Sequence, residues 1–194
     1  MITGKKIGGS SLTSTYFKYI FLHGFKAILT MTLLFSSLFH SRAQPRTDYS
    51  VHANIIYHFT KYIDWPVHRK SGDFIIGVVA ETPLYEELRK NLTGKKAGSQ
   101  NIVVKRFSPT HFNYDCHILV LSEEESGSLK KITTRTQTTP VLLVCEEEGT
   151  ARRGACISFN VVAARLTLEI NKNNIEKRDL RIANELLRLG TIVK

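Results

Sequence analysis

The stretch FIIGVVA, residues 74–80, decides the reading of this chain. A nearly continuous apolar run of this length predicts a strand covered on both faces, as in a parallel sheet; a strand with one wet face would alternate. Directly downstream, Thr82-Pro83 predicts a helix start, with Thr82 as cap and Pro83 at the first position. Leu84, Leu88 and Leu92 recur at helical spacing as an inner stripe, and Gly94 can close the helix. A second strand at 102–107 completes a strand–helix–strand crossover. The unit then returns with variation. Residues 116–121 predict a buried strand, Ser122-x-x-Glu125 a capping box, Leu129 and Ile132 the inner face of a helix, and 141–145 another strand. Two such units argue for a single Rossmann-like α/β domain with a mostly parallel central sheet flanked by helices.

The last third changes character. Residues 155–159 and 166–170 read as strands joined by a short turn, and the second alternates Leu166, Leu168 and Ile170 with Thr167 and Glu169. Alternation implies one wet face, hence an antiparallel strand pair at the C-terminal side. Residues 171–179 predict a short polar helix, and 183–193 a terminal helix docked through Leu186, Leu187 and Ile192.

Upstream of the deciding strand, ANIIYHFTKYIDWP (53–66) reads as an amphipathic helix that stops at an aromatic-proline corner. Val51, Ile55, Phe59, Tyr62 and Ile63 form its predicted inner face, with His52, His58 and Lys61 toward water. Asp48 or Ser50 caps its start, and Pro66, which lacks an amide hydrogen, ends it near Asp64. Trp65 is expected in the core.

Everything before this helix has the form of an export leader. Lys5, Lys6, Lys18 and Lys26 make it positive, 27–39 is apolar, and Ser41-Arg42-Ala43 supplies small residues three and one before a cut. The apolar stretch is only 13 residues, whereas a span needs about 20. The expected organisation is therefore a signal peptide over 1–43 and one periplasmic domain over 44–194. The leader holds five of the 27 Lys and Arg residues and none of the 17 Asp and Glu, so the exported chain carries 22 against 17, a net charge of +5. That mild excess, with no recognisable nucleic-acid-binding module, argues against a nucleic-acid partner.

Chemical motifs are sparse. His111, Cys116 and His117 lie close in sequence, but their spacing matches no zinc site, and adjacent residues on a strand face opposite ways. The turn after the first strand, Glu81-Thr82-Pro83, puts an acid where a phosphate cradle needs open amides. No nucleophile elbow or cysteine-protease signature is present, so no catalytic residues, metal or cofactor are assigned. Glu146, Glu147 and Glu148 read as a solvated run, or with Arg152 and Arg153 as a polarised loop facing a partner. The three cysteines are an odd number, leaving at least one thiol free or intermolecular. Cys145 and Cys156 are the candidate disulfide pair, and Cys116 is expected to be a small buried hydrophobe.

Taken in order, FTKYIDWP (59–66), FIIGVV (74–79), CHILVL (116–121), PVLLV (140–144), GACISF (154–159), LEIN (168–171) and LRIANELLRL (180–189) resemble the YfiR family of periplasmic regulatory proteins over essentially the whole exported region. The resemblance implies a single α/β domain without catalytic activity. It further implies binding to, and inhibition of, the periplasmic sensor region of an inner-membrane diguanylate cyclase, with an outer-membrane lipoprotein able to sequester the inhibitor. Relatives serve unlike partners, sensor kinases among them, and a homodimer is a further expected assembly. Relatives also use stabilising disulfides. Cys116 has no partner in the helix after the first strand, so their redox behaviour does not transfer.

The residues expected to contact a partner or ligand are Arg181, Arg178, Arg188 and Arg165, basic side chains near the C-terminal segment and its edge pair. The rival reading is a periplasmic small-molecule module using a crevice at the sheet end, with Arg181 and Arg165 as anion anchors. The leader generates the first testable expectation: N-terminal sequencing of the protein from a periplasmic fraction should begin at Gln44, and retention of residues 1–43 on the exported chain would refute the assignment.

Overall fold

The computed structural model describes residues 48–163 and 165–194; the expected leader lies outside them. Helix α1 spans Tyr49–Tyr62 and runs into the short strand β1, Ile63–Asp64. There follow β2 (Phe74–Val79), α2 (Pro83–Leu92), β3 (Lys96–Ala97), β4 (Gln100–Phe107), β5 (Ile118–Leu121), α3 (Leu129–Thr136) and β6 (Leu142–Cys145). The chain ends with β7 (Ile157–Val162), β8 (Arg165–Ile170), α4 (Lys172–Glu176), β9 (Arg181–Ile182), α5 (Asn184–Leu187) and β10 (Gly190–Ile192).

Eight strands form one sheet in the order β10-β8-β7-β6-β5-β2-β4-β3, and β1 pairs with β9 in a separate two-stranded ribbon. The five central strands β4, β2, β5, β6 and β7 are all parallel. From β2 the chain first steps outward to β4, then crosses back over β2 to β5. Right-handed crossovers in opposite directions along a sheet place α2 and α3 on opposite faces. Sandwiched between layers, β5 and β6 are buried at every residue, which is why their sequences do not alternate.

The antiparallel pair is β7 with β8, from Ile157↔Ile170 to Val162↔Arg165. The expected terminal helix is a correction: only one turn, Asn184–Leu187, is helical, and the chain then becomes β10, parallel to β8. Gly190 explains the change. It faces Leu168 of β8, and a Cβ there would lie 2.7 Å from the Leu168 carbonyl oxygen. Only a residue without a side chain allows β10 to approach closely enough to pair.

Two other local expectations change. The buried side of α1 is His52, Ala53, Ile56 and Phe59, while Val51 is exposed. The apolar residues wrap most of the helix, so periodicity left its rotation undetermined; the His52 ring settles it by packing 4.7 Å from Phe159. Asp48 does cap α1, accepting from the Ser50 amide. Ser122 starts no helix. A 3-10 turn at Ser126–Ser128 intervenes before α3, and Glu125 accepts from Ser128 Oγ instead of reaching back. Thr82 precedes α2 as expected, with Pro83 at its start, but makes no side-chain cap bond.

Gly190→Ala should destabilise the fold by about 1–3 kcal/mol through the clash with the β8 backbone, read as a lower urea midpoint at unchanged slope. An unaltered midpoint would show that the β8–β10 approach is not constrained.

Candidate functional site, the corner at the end of the first helix

A concavity lies where α1 gives way to the sheet. Pro66 cannot continue a helix, so the chain turns out of α1 at Ile63, whose amide donates to Phe59 O. Trp65 is swung beneath the turn and buried. Its ring meets Phe74 edge to face at 4.9 Å, and its indole N–H donates to the His117 carbonyl at 3.3 Å. The resulting pocket has a volume of about 240 Å³. Trp65 and Phe74 make its floor, Thr60, Ile63 and Asp64 one wall, and the turn from Ala97 to Gln100 the other. At the rim Lys70 Nζ lies 2.6 Å from Asp64 Oδ1. Gln100 fixes the opposite side by donating to the carbonyls of Arg69 and Ser71.

Behind the floor, His117 ties the corner together. Its Nδ1 accepts from the Ile75 amide at 3.0 Å, so Nε2 carries the proton and donates to Arg69 O, 2.9 Å away. The ring stacks on Phe74 at 4.4 Å. Burial holds its pKa below the ordinary histidine value. Beside it, Arg69 pairs with Asp115 at 2.7 Å, and that hydrogen bond draws the Asp115 carboxyl downward. With both ring nitrogens engaged by the backbone, His117 has no lone pair for a metal. The His111 ring packs against Phe107 and Tyr114 instead. Among the described residues no three His, Cys, Asp or Glu side chains lie close enough to hold an ion.

The pocket adjoins the β1–β9 ribbon, in which Asp64 is the cross-strand partner of Arg181. The ribbon is reinforced by the Ala183 amide donating to Tyr62 O at 2.8 Å. Arg181 and Arg188 are exposed on this C-terminal segment. Arg178 is a correction: it is 3 % exposed, donating to the carbonyls of Asn174 and Gly154, and so holds α4 against the loop before β7 instead of facing a partner. Arg165 is exposed at the far end of β8, in the β7–β8 hairpin, on a different element from Arg181.

The cysteine pair is also corrected. Cys116, Cys145 and Cys156 are all free and buried, and Cys156 Sγ points to the Asn174 carbonyl at 3.7 Å. Burial pushes the Cys145 thiol up to about 12 and raises the other two. These thiols stay protonated, so they act as packing groups and not as nucleophiles.

At the opposite, carboxyl end of the sheet, the acidic run is only partly solvated. Glu147 pairs with Arg153 at 2.8 Å, and Arg152 reaches Glu169 at 3.3 Å, so both arginines are used internally. Glu146 follows β6, where burial first, and then the neighbouring Glu124 and Glu123 charges, push its carboxyl up to about 7 against the bond from the Glu123 amide. Sequence reasoning missed this. The signal available was position, since Glu146 directly follows a fully buried strand.

The family model described as YfiR/HmsC-like matches residues 49–191. Comparison with curated proteins returns no match. Among the described residues no helix is long and apolar enough to cross a membrane.

Opposite pH effects follow from the two ends. His117, at the amino end, has a depressed pKa value, so its contribution is complete above the unfolded value of about 6.5 and is lost as pH falls below it. Glu146 is raised from 4.5 to about 7. Its neutral form is favoured by the fold, so stability is lost as pH rises from 4.5 through 7. Glu146→Gln should therefore gain on the parent protein progressively across that interval, as measured by urea unfolding at several pH values. A constant difference at every pH would mean that Glu146 titrates normally.

Proposed function

The chain belongs to the YfiR/HmsC-like family, and from that premise we propose that it is a periplasmic regulator of cyclic-di-GMP signalling that binds the periplasmic sensor region of an inner-membrane diguanylate cyclase and holds it inactive. The observation that carries this reading is the family match itself, which runs from the first turn of α1 into β10 and so takes in nearly all of the described domain. Inhibition of this kind needs no chemistry in the inhibitor. It needs a surface with greater affinity for the inactive sensor than for the active one.

The surface put forward is the C-terminal segment around Arg181 and Arg188. It is accessible, and its backbone is held by the β1–β9 ribbon, so little ordering is needed on binding. Exposed guanidinium groups on a fixed backbone suit an acidic sensor surface. An outer-membrane lipoprotein that sequesters the regulator, and export by cleavage after Ala43, complete the proposal. A second reading, a small-molecule-binding module, is favoured by one observation: the aromatic-floored pocket beside the same ribbon. A ligand seated there would touch Asp64 and could bias the surface that carries Arg181.

Deletion of the gene should raise cellular cyclic-di-GMP, because the bias toward the inactive sensor is removed. Arg181→Glu should reproduce the deletion while the chain stays folded, since an exposed arginine contributes little to stability, with a slightly lower melting temperature because the new carboxylate faces Asp64 across the ribbon. If deletion leaves cyclic-di-GMP and kinase output unchanged while the purified protein binds a small solute, the second reading replaces the first.

A further inference from the structure

The connection from β4 to β5, residues 108–117, carries no helix, yet it is closely tied. The Tyr114 hydroxyl donates to the carbonyls of Ser108 and Pro109, Ser108 O also takes the His111 amide, and Arg135 of α3 donates to His111 O. The rings of Phe107, His111 and Tyr114 pack on one another with centroids 5.2–5.8 Å apart. Phe107 lies over Gly77 of β2, where there is no side chain to displace it. From this platform Phe112 projects with 87 % of its surface exposed, the largest exposure among the described large apolar side chains that are exposed.

The charges around it are mostly basic. Arg135 reaches the loop directly, and Lys131, one turn earlier on α3, is exposed on the same side of that helix. Lys105 stands near the loop's other end, where its charge acts on Asp115, which is itself paired with Arg69. Neither Lys105, Lys131 nor Arg135 is within 4.0 Å of a carboxylate among the described residues. The nearby acid, Glu125, accepts from Ser128.

We propose that this loop is an interfacial anchor that seats Phe112 at the acyl boundary of an anionic phospholipid bilayer, with Lys105, Lys131 and Arg135 on the headgroups. A single projecting aromatic on an ordered base gains from burial without a further cost of ordering. Lipid accepts an apolar wedge of any shape, and anionic headgroups attract nearby Lys and Arg. A second copy of the chain fits poorly, because a symmetric contact here would set Lys131 and Arg135 against their own kind. The inference is independent of the sensor-binding reading, which the gene-deletion experiment tests without vesicles.

The experiment uses chain purified from the periplasmic fraction and vesicles of phosphatidylglycerol with phosphatidylethanolamine. In a Phe112→Trp variant the emission should shift to the blue on adding these vesicles, and brominated lipid should quench it. Phosphatidylcholine vesicles and inorganic phosphate should do neither. Trp65 is buried and supplies a constant background. In sedimentation, Phe112→Ser should bind about tenfold more weakly than the parent, and Lys105→Glu with Lys131→Glu should remove the preference for anionic lipid, both with unchanged far-ultraviolet spectra. No blue shift with any vesicle, or a Phe112→Ser variant that sediments like the parent, overturns the proposal. So does a parent that ignores vesicles while Phe112→Ser loses binding to an acidic sensor domain, which would make the loop a protein contact.

Discussion

The neutral imidazole of His117 is the tie on which the first-helix corner depends. It accepts a hydrogen bond from the Ile75 amide on one nitrogen and donates one to Arg69 O from the other. Its own backbone takes part as well: its amide donates to Ile75 O, and its carbonyl receives the Leu142 amide and the Trp65 indole. One residue thus links the amino ends of β2, β5 and β6 to the turn after α1. A protonated ring would set a second N–H against the Ile75 amide, so the arrangement admits a single tautomer. Phe74 stacks on that ring and Trp65 meets it edge-on, and both line the pocket.

The sheet is electrostatically polar in a way its strands alone do not dictate. At the amino end the charges are satisfied in pairs, Arg69 with Asp115 and Lys70 with Asp64, and the site they frame is suited to recognition. At the carboxyl end, three glutamates crowd around the exits of β5 and β6, and one is forced toward neutrality. Crowding like charges in a half-buried place is destabilising unless one takes up a proton. The two ends therefore respond to pH in opposite senses, a consequence of which groups are engaged by the backbone and which are only crowded.

A regulator that works by binding needs rigid surfaces more than reactive groups, and the distribution of side chains agrees with that demand. The thiols are buried and protonated. The aromatic residues that do not pack inward stand on braced elements: Phe112 is carried by a hydrogen-bonded loop and a three-ring platform. Arg181 is likewise carried by a paired strand. Surfaces ordered before binding lose less freedom when they dock.

Continuous apolar runs at 74–79, 118–121 and 142–145 were enough to announce parallel, doubly covered strands, because a strand with no wet face has no reason to alternate. The leucine stripe of α2, the proline that ends α1 and the antiparallel partners β7 and β8 were legible for the same local reason: period and punctuation belong to neighbouring residues. Other features depended on residues distant in the chain. The rotation of α1 was set by Phe159 against His52, the fate of Arg178 by carbonyls at Gly154 and Asn174, and the end of the terminal helix by Leu168 across from Gly190. The raised Glu146 likewise required the exits of two strands to meet. Local sequence thus determined the main helices and which central strands are buried. Tertiary structure alone decided which charges are covered and which aromatics are left in water, because burial is conferred by partners that sequence spacing does not bring together.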